Sequence, residues 1–345
     1  VQANQAAVEE YKKIIREKGI SCDLRECDSY VYSADGDTLA KEVEAAKKLG
    51  VDVVLENQIS LPVSCAGTVC FHGQAEFHPL KFIGALAEEL EIYENTPVKE
   101  VEEHLVKTPG GSVRADKIVF AVHFPFINFP GMYFARMHQE RSYVLALENA
   151  GTVDGLYIGE GEDVLSFRQY KQYLLLGGQA HRTGENREGG RYEKLKEAAG
   201  KMYLQSRIAA CWSAQDCMTT DRVPFIGLYA ADRPDWYVAT GFCKWGMSFA
   251  MVSAILLKDM ICGINNPYTE VFAPSRFSGE EIPQLLEDTG KSVKGLTKRF
   301  FHMPQETVDE LPRGHGGVID TPQGKTGVYK TEDGQLFQVD IVCPH

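Results

Sequence analysis

The chain has 345 residues, 44% of them hydrophobic, with Lys+Arg 36 against Asp+Glu 48 and a formal net charge of -12. That is enough apolar sequence for the cores of about two domains, which excludes disorder for the bulk of the chain. The acidic balance repels phosphate backbones and anionic lipid surfaces, so nucleic acid is not an expected partner.

The opening residues place Ala7, Val8, Tyr11, Ile14 and Ile15 at helical spacing, and Gly19 supplies a left-handed stop. SCDLRECDSYVYS follows with strand-like residues. The acidic cluster at Asp35 and Asp37 then opens a second helix with an apolar stripe of Leu39, Val43, Ala46 and Leu49, ending at Gly50. Pro79 in a first-turn position begins a third helix that uses Phe82, Ile83, Leu86, Ala87 and Leu90.

Two short strands are expected around Glu91–Tyr93 and Pro97–Leu105. After the Pro109-Gly110-Gly111 turn, the run KIVFAV is continuous apolar sequence, as in a parallel strand buried on both faces. From Gln139 to Gly178 the texture becomes alternating β segments separated by Gly and Asp breaks, as in an antiparallel sheet. A helix over about Arg191 to Leu204 precedes the strands VPFIGL and WYVATG. A buried helix with Met251, Ile255, Leu256 and Met260 then runs to Gly263. Beyond Pro267 the composition turns polar and then β-rich.

The nine cysteines are scattered singly in a chain too long for a disulfide-stapled module, which fits a reduced, cytoplasmic setting. No apolar run reaches the length of a membrane span. His72 and His78 read as structural histidines and not as metal ligands, since neither has a second ligand at helical spacing.

Chemistry concentrates at ATGFCKWGMSFA, where a strand turns directly into a helix. A helix N-terminus presents unpaired N–H groups and the positive end of the dipole to an anion or an electron-rich ring oxygen. Gly241 permits the sharp turn, and Gly246 permits close backbone approach to a flat ligand. A glycine-rich connection without a ligand is the other reading of the same residues.

The order of five segments resembles the D-amino-acid-oxidase-like family of FAD-dependent oxidoreductases, which includes glycine and sarcosine oxidases. They are AEFHPLKFIGALAEEL, ENTPVKEVE, VRADKIVFAVHFP, DRVPFIG and WYVATGFCKWGMSFAMVSAILLKDMICG. The resemblance implies FAD as cofactor. It places Ala121, Val122 and His123 against the flavin, with Val122 and His123 standing where the family has Thr-Gly. It also places the Val98 backbone at the adenine side, and Gly241, Phe242, Trp245, Gly246 and Met247 at the edge of the flavin ring.

No GxGxxG follows a strand, although the family carries that fingerprint for the pyrophosphate. The expectation is therefore an α/β (α+β) fold whose Rossmann-like FAD-binding domain lacks its first βαβ unit and carries an inserted antiparallel substrate domain. The terminal DGQLFQVDIVCPH resembles the opening of a Rieske domain. That implies Cys343 and His345 as the first ligand pair of a [2Fe–2S] cluster. Neither cofactor is expected in this chain, which is expected to be inactive.

The expected divisions are 1–63 (helical, and first part of the substrate domain), 64–130 (FAD-binding), 131–219 (antiparallel substrate domain), 220–266 (FAD-binding), 267–305 (linker) and 306–345 (start of the Rieske domain). Arg168 and Lys244 are the leading candidates to meet the substrate, with Arg141, Tyr170 and Tyr173 behind them. The function these features imply is oxidation of an amine or amino acid at its C–N bond, with electrons exchanged with a Rieske cluster or a partner protein. A non-catalytic scaffold that keeps the fold is the alternative.

Overall fold

The computed structural model describes residues 1–57, 59–161, 164–185, 189–276, 308–309, 311–321 and 324–340. An eight-stranded sheet dominates. Its strands, in spatial order, are β12 (Arg207–Thr219), β8 (Met137–Glu148), β11 (Tyr173–Arg182), β10 (Ser166–Tyr170), β9 (Leu156–Gly159), β1 (Arg25–Ser33), β3 (Gly67–Glu76) and β2 (Val53–Glu56). All neighbours are antiparallel except β1 and β9, which run parallel. β3 therefore belongs to this sheet, and the division expected at residue 64 moves past Glu76.

One face of the sheet buries Leu145, Leu147, Phe167, Leu174 and Leu176 against Leu195 and Ala199 of α5 (Arg191–Met202). At its other end, α2 (Gly36–Lys48) packs Leu39 and Ala46 on Val53 and Val69. The Asp35 side chain caps α2 by accepting from the Asp37 amide at 3.0 Å. Leu49, expected in the buried stripe, lies just past the last helical turn and is 59% exposed.

The second unit is built on a three-stranded sheet ordered β13 (Phe225–Leu228), β14 (Trp236–Thr240) and β7 (Ile118–Phe120), with β7 and β14 parallel. Ile118 and Phe120 are buried but Val119 is 43% exposed, so the run expected to be covered on both faces is covered on one. A meander of β4 (Glu100–Glu102), β5 (Leu105–Thr108) and β6 (Gly111–Arg114) precedes β7. Residues Glu91–Tyr93 form no strand, and Ile92 and Tyr93 face solvent.

Helix α1 (Gln2–Lys18) and helix α6 (Gly246–Ile261) pack together over this sheet. Ala3, Ala7, Tyr11 and Ile15 of α1 meet Met251, Val252, Leu256 and Leu257 of α6, and each large side chain buried there contributes roughly 1.5–3 kcal/mol. Gly19 and Gly263 end the two helices in left-handed conformations at φ 62° and 69°. Phe82 of α3 (Pro79–Ala87) joins the same core, whereas Ile83 and Leu90 are exposed.

The segment from Pro267, expected to be linker, begins as folded structure. α7 (Thr269–Phe272) buries Phe272 in the α1–α6 core, and Arg276 grips Asp221 through Nε at 2.7 Å and Nη2 at 3.0 Å. Farther along, β15 (His315–Thr321), β16 (Gly324–Lys330) and β17 (Leu336–Asp340) form an antiparallel three-stranded sheet. Cys343 and His345 lie outside the described residues.

Candidate active site at the strand-to-helix junction

Parallel strands β7 and β14 end side by side, and the carboxyl ends of such strands are where α/β sheets bind ligands. Two features hold these ends together. The Thr240 hydroxyl donates to the His123 carbonyl at 2.8 Å, and Gly241 turns the chain at φ 73°. A Cβ at Gly241 would sit 2.4 Å from Thr219 Cγ2, so only glycine fits there without displacing the Thr219 side chain.

The chain then passes through two left-handed residues, Cys243 and Lys244, before α6 starts. Buried Cys243 anchors this loop. Its amide donates to the Cys217 carbonyl at 3.1 Å, its thiol to the Gly241 carbonyl at 3.2 Å, and the Thr219 hydroxyl lies 3.4 Å from its sulfur. The strain at two non-glycine residues is thus held against β12.

At the head of α6, the first intrahelical bond is made by the Phe249 amide to the Trp245 carbonyl at 3.1 Å, which leaves the Gly246, Met247 and Ser248 amides ahead of it as helix-end donors. No side chain caps this end, Trp245 is 57% exposed, and the space where a Gly246 Cβ would point is open. This is room and donor chemistry for the electron-rich edge of a flat ring.

The Ala121-Val122-His123 segment lies beside it. Val122 turns its side chain into the core around Phe120 and Tyr229, while Ala121 and His123 are exposed. The bulk of Val122 is therefore directed away from the open side. Val98 is 38% exposed just ahead of β4, where the Lys99 amide bonds to the Lys107 carbonyl.

Lys244 projects onto the large sheet. Its Nζ lies 2.7 Å from Glu140 Oε2, and His138 Nε2 lies 3.6 Å from the other Glu140 oxygen. The His138 hydrogen bond and then the Lys244 ammonium hold the Glu140 carboxyl down at about 2. Opposite Glu140 in the register stands Asp216, whose pKa is raised by burial and by Glu140, and eased down by Lys244 and His123. Two carboxylates and one lysine thus converge between β8, β12 and the junction, leaving a net negative charge. Neither carboxylate was a candidate in the sequence, because only strand register brings them opposite each other.

The other candidates lie elsewhere. Arg168 is bound through Nε to Glu76 at 3.0 Å, and Arg25 shares that carboxylate at 2.7 Å. Arg168 is opposite Leu175, Leu175 opposite Ala146, and Glu140 is six residues from Ala146 along β8. That is about 20 Å at ~3.4 Å per residue. Arg168 is a counter-ion within the sheet and is not brought to Lys244. Arg141 points to the opposite face from Glu140, with Ser213 Oγ 3.1 Å away and Gln215 alongside. Tyr170 packs edge-on against His78, whose Nδ1 caps α3 by accepting from the Lys81 amide at 3.4 Å. Tyr173 pairs with Tyr170 across β10 and β11. A cavity of about 400 Å³ lined by Ile226, Tyr229, Met260 and Pro274 shares no residue with the junction.

The family model for FAD dependent oxidoreductases, DAO, matches residues 1–260. The chain belongs to that family. Over 363 aligned residues it is 31% identical to a protein of Bacillus subtilis (strain 168) provisionally named Rieske 2Fe-2S iron-sulfur protein YhfW, with 100% of this chain and 71% of the relative covered. Two solved structures share its fold. Glycine oxidase from Geobacillus kaustophilus superposes with a TM-score of 0.68 at 17% identity, covering 81% of this chain and 82% of its own. L-Proline dehydrogenase from P. horikoshii superposes at 0.70 and 19% identity, covering 80% and 83%. The mixed α/β architecture is that of these enzymes. Among the described residues no helix is long and apolar enough to cross a membrane.

Proposed function

We propose that this chain carries the flavin-ring and substrate side of an FAD-dependent dehydrogenase that oxidises an amine or amino acid at the C–H bond next to nitrogen. The observation that supports this most directly is the convergence of the exposed α6 N-terminus with Glu140, Asp216 and Lys244 at the ends of β7 and β14. FAD bound at the junction supplies a two-electron acceptor for the substrate hydride.

The residues divide the remaining work. The Gly246 and Met247 amides and the helix dipole hold the electron-rich edge of the ring. Ala121 offers a small surface beside it. Asp216 and Glu140 receive the substrate nitrogen, which is positively charged before it reacts. Lys244, already neutralised by Glu140, steadies that carboxylate and leaves Asp216 to orient the amine. An amine bound in its neutral form needs no strong base at carbon, and Asp216, opposite Glu140 in the register, is the carboxylate placed to meet the amine. No GxGxxG lies within residues 1–345, so the reading assigns this chain the ring end of FAD and not its pyrophosphate end.

The proposal extends to a Rieske [2Fe–2S] cluster, on the Cys343 and His345 pair and the name of the Bacillus subtilis relative. It also places the protein in the cytoplasm. The scaffold alternative draws on Val122 and His123 standing where the family has Thr-Gly, and the packing of Val122 against the buried core weighs against it.

The test is anaerobic. The protein, expressed with whatever coding sequence flanks it in the genome, is loaded with FAD and mixed with primary amines, secondary amines and amino acids. Bleaching of the flavin band at about 450 nm by an amine supports the reading. Protein that binds no flavin, or flavin that none of these substrates reduces, overturns it.

A further inference from the structure

We propose that the paired strands β1 and β3 carry a zinc site made of Asp28, Cys70 and His72, separate from the flavin junction. The ligand atoms of these three side chains all lie within 4.8 Å of one another. They converge because of a bulge. Ser29 pairs with Phe71 and Cys27 with Gln74, and between these pairs Asp28 alone stands opposite both His72 and Gly73. Gly73 takes the extra turn at φ 72°, a left-handed conformation suited to glycine. Alternation then puts Cys70 and His72 on one face of β3, and Asp28 on the same face from β1.

The distances suit a tetrahedral ion. His72 Nδ1 lies 3.1 Å from Asp28 Oδ2 and 3.7 Å from Cys70 Sγ. Zinc bonds of about 2.0–2.3 Å to O, N and S at tetrahedral angles would separate an oxygen from a nitrogen by ~3.3 Å and a sulfur from a nitrogen by ~3.6 Å. Only small side-chain shifts separate the three groups from ligation. One sulfur, one imidazole and one carboxylate form a donor set that favours zinc over calcium or magnesium.

Access is from the Asp28 and His72 side, above the buried Cys70. Asp28 and Tyr30 line a cleft of about 360 Å³ with Glu26, Asp154 and Gly155, and the His72 side chain is 38% exposed. Water can complete the coordination. On binding, the Cys70 S–H bond breaks, its proton passes to solvent and a sulfur–zinc bond forms, with no change of oxidation state. Such an ion clips β1 to β3 at the one place where their ladder is interrupted.

The experiment uses a Cys343→Ser/His345→Gln background, so that the terminal Cys-X-His pair cannot contribute metal. The chelator-stripped chain is titrated with zinc alone, and separately with cobalt(II), whose thiolate charge-transfer band reports a sulfur ligand. The expected result is one tight ion per chain, with affinity falling about tenfold or more in D28N, C70S and H72Q, and the cobalt band lost in C70S. H72Q is the deciding variant because its side chain is half-exposed and its folding can be checked by circular dichroism. Absence of a stoichiometric ion, or folded H72Q that binds zinc as tightly as its parent, overturns the proposal.

Discussion

The Lys244 ammonium sits 2.7 Å from the Glu140 carboxylate, joining the loop after β14 to the second strand of the large sheet. Glu140 is held at about 2 against an ordinary 4.5, so its stabilisation is fully present above pH 4.5 and is lost as the pH falls toward 2. Glu140→Gln is expected to cost on the order of 2 kcal/mol at pH 7, a figure reduced for the 28% exposure of the side chain. Urea unfolding from pH 7 down to pH 2 checks this. The variant's deficit should shrink across the acid limb, and a pH-independent deficit would contradict the assignment.

Asp216 behaves in the opposite sense. Its folded pKa is raised, so its charge costs stability above that pKa and the cost disappears as the pH falls into the ordinary carboxylate range. Asp216→Asn is expected to raise the unfolding midpoint at pH 7 while weakening amine binding by tenfold or more. Thermal scans at two pH values, with amine titration of the flavin-loaded protein, separate the two effects. A variant that loses stability and keeps its amine affinity would remove Asp216 from the substrate site.

At Gly241 a methyl group meets Thr219 Cγ2 at 2.4 Å and the backbone is left-handed. Gly241→Ala should therefore cost about 1–3 kcal/mol from conformation, with the clash in addition. Since the same turn aims the α6 N-terminus, flavin affinity should fall too. The matched control is Gly246→Ala, where the added carbon meets open space: the fold should tolerate it and only flavin binding should suffer. Equal melting temperatures for the two variants would count against this account.

Arg276 and Asp221 are 15% and 22% exposed, and the guanidinium also lies 4.3 Å above the Phe225 ring. Arg276→Ala leaves a half-buried carboxylate without its partner and is expected to destabilise by about 3 kcal/mol. Double-mutant analysis with Asp221→Asn gives the check, because coupling near zero would show the two residues acting independently.

The legible features were those written in contiguous residues. Gly19 and Gly263 mark helix ends because a left-handed stop is local chemistry, and Gly241 with Gly246 marks the junction because a tight turn must be encoded where it occurs. The family resemblance reached the FAD dependent oxidoreductases through five such segments, and the match over residues 1–260 agrees with it. What sequence could not supply was register. Glu140 and Asp216 meet only because β8 and β12 pair at that offset, and the same ladder carries Arg168 away toward Glu76. Helical spacing offers His72 no partner, whereas its neighbours Cys70 and Asp28 stand two residues back on the strand and across a bulge. Pro267 onward looked polar enough to be linker, yet one aromatic, Phe272, and one arginine tie that stretch down.

The Tyr11 hydroxyl donates to the Met247 carbonyl at 2.9 Å, 236 positions further along the chain. At a synthesis rate of about 5–20 residues per second, a ribosome needs roughly 12–50 s to deliver the second partner after the first has emerged. During that interval Ala3, Ala7, Tyr11 and Ile15 have no α6 to cover them. The nascent α1 helix is therefore a standing invitation to chaperones and to neighbouring chains on a polysome. Production of this protein should respond more to slowed translation and chaperone supply than its equilibrium stability would suggest.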